Sequence, residues 1–267
     1  MKTIPSRLRR GLRTAVPFLA LARTAVAQAT GDSPIITDRP GFLFSPVPVP
    51  AGRLQLEAGL PTFTQAETGS IEARTWSLPV AARYGLSDRV ELRASLPTWT
   101  DVDVEGGGPG SNDSGFADIE IGAKVALDTS SDAPFAVQGG LRLPTGDEGL
   151  GTDELGGSFY LLHTREIANG LSITGLLGAT YAPIEGGPDP LAGAIGALLW
   201  SPITRDSSGY VEAAAFPGLQ DIAGQAYVGG GFVWAVDDDV QLDLSADFGL
   251  DDDSADVIAA FGVSVRF

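Results

Sequence analysis

Apolar and polar residues alternate in successive segments along the chain, and this period of two constrains the fold more than any other feature. The segment that ends the chain shows the alternation clearly: Val257 and Phe261 lie on one parity, whereas Ser264 and Arg266 lie on the other. Such an alternation predicts a β-strand with one apolar and one polar face. Similar segments recur from Leu54 onwards, and we count twelve predicted strands in all.

The length of these segments and of their connections decides what the strands can form. The chain has no apolar run of about 18 residues, which excludes a transmembrane helix, but transmembrane strands need only about 9 to 11 residues. Short connections alternate with longer ones, such as Phe63–Ser70, Thr100–Gly115 and Pro144–Gly156. This asymmetry is typical of outer-membrane barrels with both termini in the periplasm. We therefore predict an all-β fold: a closed antiparallel transmembrane β-barrel of about twelve strands.

Local details refine this prediction. Pro79 and Pro97 fall inside predicted strands, where a closed barrel has no free edge for a residue without an N–H, so we expect bulges there. Gly157–Ile167 and Leu191–Trp200 are strand-like but show no clear polar face. Aromatic residues near strand ends predict girdles at the two lipid interfaces. These residues are Trp76, Tyr84, Trp99, Tyr181, Trp200, Tyr210, Phe216, Trp234 and Phe267.

The amino end precedes the alternating segments and has a different composition. Basic residues, a short apolar core over Ala15–Ala22 and small residues at Ala27 and Ala29 predict a secretory signal peptide over residues 1–29. Residues 30–52 contain closely spaced prolines and predict an irregular lead segment, because proline interrupts both helices and paired strands. Residues 53–267 are assigned to the barrel.

The charge of the chain excludes some partners. There are 34 acidic and 17 basic residues, a net charge of −17, which repels nucleic acid. The absence of cysteine excludes disulfides and thiolate metal sites. The predicted extracellular loops carry acidic residues and no Lys or Arg: Glu67, Asp101, Asp103, Glu105, Asp113, Asp147, Glu148, Asp153, Glu154, Glu185, Asp189, Asp221, Asp251, Asp252 and Asp253. Such a mouth would enrich cations and let divalent ions bridge to lipopolysaccharide, although a merely solvated, repulsive surface is an equal alternative.

The polar faces of the predicted strands supply candidate lumen-lining residues. Charges of both signs on neighbouring strands can pair across the ladder, and a twelve-stranded barrel should have a narrow interior. Two interpretations remain open: a polar conduit, which we favour, and a salt-bridged core that only stabilises the wall. The candidates are Arg53, Glu57, Arg83, Arg89, Glu91, Arg93, Asp118, Glu120, Lys124, Arg142, Asp243, Asp247 and Arg266.

Catalysis has one candidate residue, the single histidine His163. A twelve-stranded phospholipase would suit the length, but that family places serine two residues after its histidine, where this chain has Arg165. A structural or interfacial histidine is therefore favoured over a catalytic one. No nucleophile elbow, phosphate-binding glycine loop or metal-ligand spacing occurs, so we predict no enzyme activity, cofactor or metal. A lipid hydrolase using His163 and a structural or adhesion barrel without transport remain the alternatives.

Several motifs occur in order along the chain: Ile36–Pro40, Val49–Glu57, Arg83–Arg93, Asp118–Lys124 and Leu141–Gly146. The resemblance that they carry covers most of the chain after the predicted signal peptide. They resemble the outer-membrane transporter family "MetA-pathway of phenol degradation".

The resemblance implies a barrel that passes small solutes, hydrophobic or aromatic compounds among them, across the outer membrane of a Gram-negative bacterium. Asp38 and Arg39 would then tuck the lead segment into the lumen as a partial plug. Arg39 would pair with a lumen carboxylate such as Glu57, Glu91 or Glu120. The terminal strand ending in Phe267 is similar to the signal by which the barrel-assembly machinery recognises its substrates. The implied partners are a small-molecule solute, outer-membrane lipid and lipopolysaccharide.

Overall fold

The computed structural model describes residues 33–107, 109–129, 133–152, 154–168, 170–183, 191–220 and 223–267. The predicted signal peptide over residues 1–29 lies outside these ranges. The described residues contain no helix that is long and apolar enough to cross a membrane.

All regular structure in the described residues is β-strand. The strands are β1 (Leu54–Thr68), β2 (Ile71–Leu78), β3 (Val80–Ser87), β4 (Val90–Ser95), β5 (Trp99–Glu105), β6 (Ser111–Phe116), β7 (Ile119–Asp128), β8 (Phe135–Leu143), β9 (Gly156–Ala168), β10 (Leu171–Tyr181), β11 (Leu191–Pro202), β12 (Ser207–Phe216), β13 (Gln225–Ala235), β14 (Val240–Gly249) and β15 (Val257–Arg266).

The strands form one closed antiparallel barrel. The first strand pairs with the last, with Gln55 opposite Arg266 and Gln65 opposite Val257. Three pairs of consecutive strands, β2 with β3, β4 with β5 and β6 with β7, each cross the wall as one interrupted span. The described chain thus crosses the wall twelve times, and the predicted twelve-stranded closed barrel is confirmed.

The wall is irregular where the prolines fall. Pro79 separates β2 from β3, and Pro97 lies between β4 and β5, so the irregularities expected as bulges are breaks between strands. β1 changes partner at the same level: Leu54–Ala58 pairs with β3, whereas Thr62–Thr68 pairs with β2. Proline cannot donate a ladder hydrogen bond, so the neighbouring strands separate and resume their pairing on either side.

Two connections differ from the sequence-based prediction. The segment Phe63–Ser70, expected to be a loop, continues β1 as far as Thr68 and ends in a tight turn with Gly69 at φ 66°. Most of Thr100–Gly115 forms the hairpin of β5 and β6, whose residues pair from Trp99 opposite Phe116 to Val104 opposite Ser111. β6 is polar and shows no alternation, so its pairing with β5 could not be read from its own sequence.

The two faces of the wall have opposite composition. Large apolar side chains point outward on every part of the barrel, for example Ile121, Phe159, Leu177, Val211 and Phe261, each between 45% and 60% exposed. A continuous apolar belt of this kind is what a lipid-facing wall requires. The opposite parity points inward and is buried.

Candidate functional site

The lead segment lies inside the barrel. Residues 35–40 and 42–50 are buried, although they contain no helix or strand. The end of this segment lies directly against the wall at Gly85, where a Cβ would lie 2.1 Å from the carbonyl oxygen of Pro50. An irregular segment can occupy the interior only if its backbone polar groups find partners there, and the inner wall supplies them.

Carboxylates from three different strands accept hydrogen bonds from the lead's own backbone. These bonds join main-chain N–H groups to carboxylate side chains, so they hold the segment in place without pairing its backbone with a strand. They run from Asp38 N–H to Glu57 (3.0 and 2.9 Å), from Val49 N–H to Glu91 (2.8 Å) and from Phe42 N–H to Glu212 (3.0 Å).

One half of the interior is a charged cluster built on β1, β3, β4 and β7. The fully buried guanidinium of Arg83 contacts Glu57 at 2.6 Å, Glu91 at 2.8 Å and Asp38 at 3.5 Å. Lys124 Nζ lies 3.2 Å from the Asp38 carboxylate. Each buried charge of this cluster therefore has a partner of opposite sign, as burial requires.

Arg93 joins this cluster to the other half of the interior. Its Nη1 binds both Asp38 and Glu91, the latter at 2.7 Å, while its guanidinium carbon lies 5.5 Å from the centre of the Phe44 ring. Burial by itself would raise the pKa of Asp38, but the charges of Arg83, Arg93 and Lys124 outweigh it and hold that pKa well below its usual range.

The other half of the interior is aromatic and apolar. Phe42 stacks on Tyr227 with ring centres 5.0 Å apart and meets Phe216 edge-on at 5.6 Å. Phe44 meets Tyr160 edge-on at 5.2 Å. The strands of this half, β9 to β13, include the two segments whose sequences lack a polar face. That missing polar face reflects an inner wall that packs against the apolar lead.

The structure moves three predicted girdle residues to this inner wall. Trp200, Tyr210 and Phe216 are buried inside the barrel, and the rings of Trp200 and Tyr210 stack with centres 6.2 Å apart. Their position near strand ends was consistent with a girdle, but their parity is the inward one. The girdle assignment is therefore wrong for these residues.

The predicted lumen-lining residues fall into three groups. Most point inward: Glu57, Arg83, Glu91, Lys124, Asp243 and Asp247 are buried, and Arg93, Glu120 and Arg142 are partly buried. Arg39, predicted to pair with Glu57, Glu91 or Glu120, instead binds Asp243 at 3.2 Å. The tertiary path of the lead past β14 decides this pairing.

The second group lies at the rim near the chain ends. Asp239, in the turn between β13 and β14, binds Arg266 at 2.6 Å and Arg53 at 2.8 Å. The hydrogen bond from Arg266 lowers the pKa of Asp239. These arginines fasten the first and last strands at the closure of the barrel: Arg53 Nε also donates to the Phe267 carbonyl oxygen at 2.6 Å.

Two of the predicted lumen residues lie in connections between strands. Arg89 is exposed in the turn between β3 and β4, so it does not line the inner wall. Asp118 lies between β6 and β7, and its carboxylate accepts hydrogen bonds from the backbone of Thr145, Gly146 and Thr152. It organises the connection after β8, and its assignment to the lumen stays a prediction.

The acidic end of the barrel differs in one respect from the prediction. Asp153, Glu185, Asp189 and Asp221 lie outside the described residues. Among the residues that the structure does describe, Asp251, Asp252 and Asp253 are exposed. Arg74 at the same end binds Glu72 at 2.9 Å, so a basic side chain does lie among these acidic groups.

His163 occupies the outer face of β9. Its side chain is exposed, its Nδ1 lies 3.1 Å from the Pro134 carbonyl oxygen, and its ring centre is 6.2 Å from that of Phe135. This position supports the interfacial interpretation of His163. In the described part of the chain, no three acidic or histidine side chains are arranged to hold a metal ion.

Comparison with protein families identifies the relationship of this chain. The family model described as "Putative MetA-pathway of phenol degradation" matches residues 37–267. The chain belongs to this family. The match begins within the lead and runs to the last residue, so the model of the MetA-pathway family spans both the lead and the barrel. The search of curated proteins found no match.

Solved structures similar to this family member are outer-membrane barrels. An outer membrane channel from Pseudomonas putida F1 matches with a TM-score of 0.64 at 11% identity, covering 86% of this chain and 99% of that one. The transport unit of the autotransporter AIDA-I from Escherichia coli matches at 0.52 and 8% identity, covering 80% and 90%. The β domain of the Bordetella autotransporter BrkA matches at 0.51 and 14% identity, covering 81% and 99%. At these identities the likeness concerns the fold.

Proposed function

We propose that this protein is an outer-membrane channel for small solutes, with hydrophobic or aromatic compounds as its preferred class. It has no catalytic role. The signal peptide would direct it to the envelope, with cleavage near Ala27 or Ala29. Both termini and the short turns would face the periplasm, and the acidic loops would face outward.

The divided interior is the observation that carries this proposal. The aromatic inner surface packs against Phe42 and Phe44 of the lead in this structure, and the same surface can hold an apolar solute when the lead shifts. Here Tyr160, Trp200, Phe216 and Tyr227 point inward and line one side of the interior. Apolar pockets with a few placed polar groups are typical of small-molecule sites. Family membership and the fold of the similar channel support the same function.

The lead segment would act as a removable obstruction in this channel. It fills the interior in the present structure, so passage requires it to shift. Its contacts are a limited set of ion pairs, hydrogen bonds and ring contacts, without the continuous ladder that fixes a barrel strand. Local rearrangement therefore costs less than opening the wall.

Outer-membrane lipid and lipopolysaccharide would contact the apolar belt and the outer loops, and the terminal strand ending in Phe267 would be recognised by the barrel-assembly machinery. Divalent ions bridging the acidic loops to lipopolysaccharide belong to this proposal. The exposed acidic groups also predict a preference for cations at the mouth.

Conductance in a planar bilayer tests the proposal. Refolded protein should give cation-preferring current, and Asp38→Asn, which weakens the hold on the lead, should raise the open fraction. Glu72→Gln is the matched control, since it removes a carboxylate from an exposed ion pair at the mouth. A silent bilayer with the original chain and with Asp38→Asn alike would contradict a channel. In parallel, lipid turnover that is lost in His163→Ala would support the hydrolase instead.

A further inference from the structure

A row of three residues on the inner wall places two carboxylates side by side. Glu212 on β12 lies opposite Gly229 on β13, and Gly229 lies opposite Asp247 on β14. A Cβ at position 229 would lie 2.1 Å from Asp247 Oδ1. The Asp247 carboxylate therefore leans over the glycine, toward Glu212, into space that any side chain would fill.

These two carboxylates lack the partners that the other buried acids have. Glu212 is 3% exposed and Asp247 is 2% exposed. Within the described residues, Glu212 Oε1 and Asp247 Oδ1 have no hydrogen-bond partner, and the ion pairs of the interior reach neither side chain. Arg39, the cation closest along the lead, is bound to Asp243. A buried acidic pair without a countercharge is costly unless it keeps a proton, and a cationic group that enters beside the pair can take the place of that proton.

The residue that now occupies the site shows what shape would fit. The Phe42 ring lies against Tyr227 and Phe216, and its backbone N–H donates to Glu212 Oε2 at 3.0 Å. Nitrogen, two carbon atoms and a phenyl ring are the skeleton of 2-phenylethylamine. Phe42 presents that skeleton with an uncharged amide in place of an amine.

The space next to Asp247 can accept a small polar head. A cavity of about 30 Å³ lies between the lead and the wall, bordered by Asp247, Ser245, Gly41 and Phe42. A volume of this size holds one group as large as a water molecule. Because Arg39 borders the same cavity but is already paired with Asp243, the unpaired charge next to it remains that of Asp247.

We propose that Glu212, Asp247, Phe216 and Tyr227 form a binding site for a protonated arylalkylamine, which Phe42 occupies when the lead is docked. The ammonium group takes the position of the Phe42 N–H and supplies the missing positive charge, and the aromatic ring replaces that of Phe42. The ligand thereby competes with the lead. This site rests on the proposed channel function and names the class of solute that the aromatic half of the interior would select.

Calorimetric titration of refolded full-length protein tests this site with three probes that share one skeleton. They are 2-phenylethylamine, 2-phenylethanol and 3-phenylpropionate, which end in a cation, a neutral hydroxyl and an anion. Phe42→Ala should bind the amine at least about tenfold more tightly than the original chain, because the competing ring is gone. Phe44→Ala is the matched control, since Phe44 packs on Tyr160 outside the proposed site.

The carboxylates provide the second test. In the Phe42→Ala background, Glu212→Gln should weaken amine binding by about 10- to 100-fold, the effect expected for a charged hydrogen bond, while the affinity for 2-phenylethanol changes little. Asp247→Asn provides a second variant if the first does not fold, and heat-modifiable migration on a gel reports folding. Equal affinity for the amine and either other probe, an unchanged affinity in both carboxylate variants, or equal gains from Phe44→Ala and Phe42→Ala would overturn the site.

The binding experiment and the conductance experiment distinguish failure of the amine site from failure of the proposed channel function. Amine binding by a protein that gives no current would support the site and contradict the channel. Current without selective amine binding would overturn the site and leave the channel in place.

Discussion

Replacing Asp38 by asparagine should release the lead from the interior. The carboxylate of Asp38 contacts Arg83, Arg93 and Lys124, and the buried cluster otherwise contains only Glu57 and Glu91 as acids. The substitution leaves three cations facing two carboxylates in the docked state. In the undocked state Asp38 is in water, so the change costs nothing there. The substitution therefore destabilises the docked state relative to the undocked one.

The size of the effect follows from the burial of the cluster. Removing one partner of a buried ion pair costs about 3–5 kcal/mol. At about 1.4 kcal/mol for each factor of ten, this corresponds to a rise of roughly 10²- to 10⁴-fold in the ratio of undocked to docked lead. Such a change is large enough to convert a rare opening into a readily measured population.

Cysteine labelling measures that population, because the chain contains no cysteine of its own. Ser45→Cys places one thiol in the lead at a position that is 0% exposed, so a maleimide reagent reaches it only after the lead moves. When reclosing is faster than labelling, the labelling rate tracks the open population. Adding Asp38→Asn should accelerate labelling by the factor above.

An exposed ion pair provides the control. Glu72→Gln removes a carboxylate from the Glu72–Arg74 pair at the surface, where such pairs contribute about 0–1 kcal/mol. Labelling of Ser45→Cys should be unchanged by it. Equal labelling rates with and without Asp38→Asn, in protein that retains its folded barrel, would refute the assignment of the charged cluster as the hold on the lead.

Three further predictions concern the wall and the pH dependence of docking. Gly229→Ala should lower the free energy of unfolding by about 1–3 kcal/mol in a urea titration, because its Cβ would lie 2.4 Å from a backbone oxygen of β14. Gly175→Ala is the control: its Cβ would enter open space, so the free energy of unfolding should not change. Leu177→Arg in mid-strand should destabilise insertion by about 2–4 kcal/mol, against about 0–1 kcal/mol for Ile167→Arg near a turn, as measured by folding into liposomes. Since the folded pKa of Asp38 lies below its unfolded value of 3.8, its contribution to docking is complete above that value and is lost as pH falls through the lower folded pKa. Pepsin should therefore leave the lead intact near pH 4 and cleave it only in stronger acid; cleavage already at pH 4 would contradict the sign of this shift.

The fold was largely predictable because its signal is local. Alternation with a period of two is visible in each strand by itself, as in β14 and β15, and it predicts both the strand and the side chains that face outward. Pro79 and Pro97 likewise interrupt the strands in which they lie, so their effect was visible in the local sequence. The hairpin of β5 and β6 was not predicted, since β6 carries no apolar face that alternation could reveal and the short alternation of β5, with Val102 and Val104 between acidic residues, was assigned to a loop.

The candidate site was predictable only in part. Charged residues on the inward parity, such as Arg83 and Glu91, could be assigned to the interior, but their partners could not. Arg39 binds Asp243, which is 204 residues away along the chain. The aromatic half was missed because an apolar inner face erases the alternation on which the prediction depends. Glu212 gave no signal of its own, since one acidic residue in a short strand does not show that a glycine and a second acid lie beside it.

The sequence by itself determined that this chain builds a two-faced β wall, because side-chain direction along a strand is fixed by backbone geometry. Only the tertiary structure decided what fills the interior of the barrel. The path of an irregular segment depends on carboxylates that distant strands bring together, and no local pattern records those distances. The packing of Phe42 against Tyr227 and Phe216, with its N–H on Glu212, exists only after the barrel has closed.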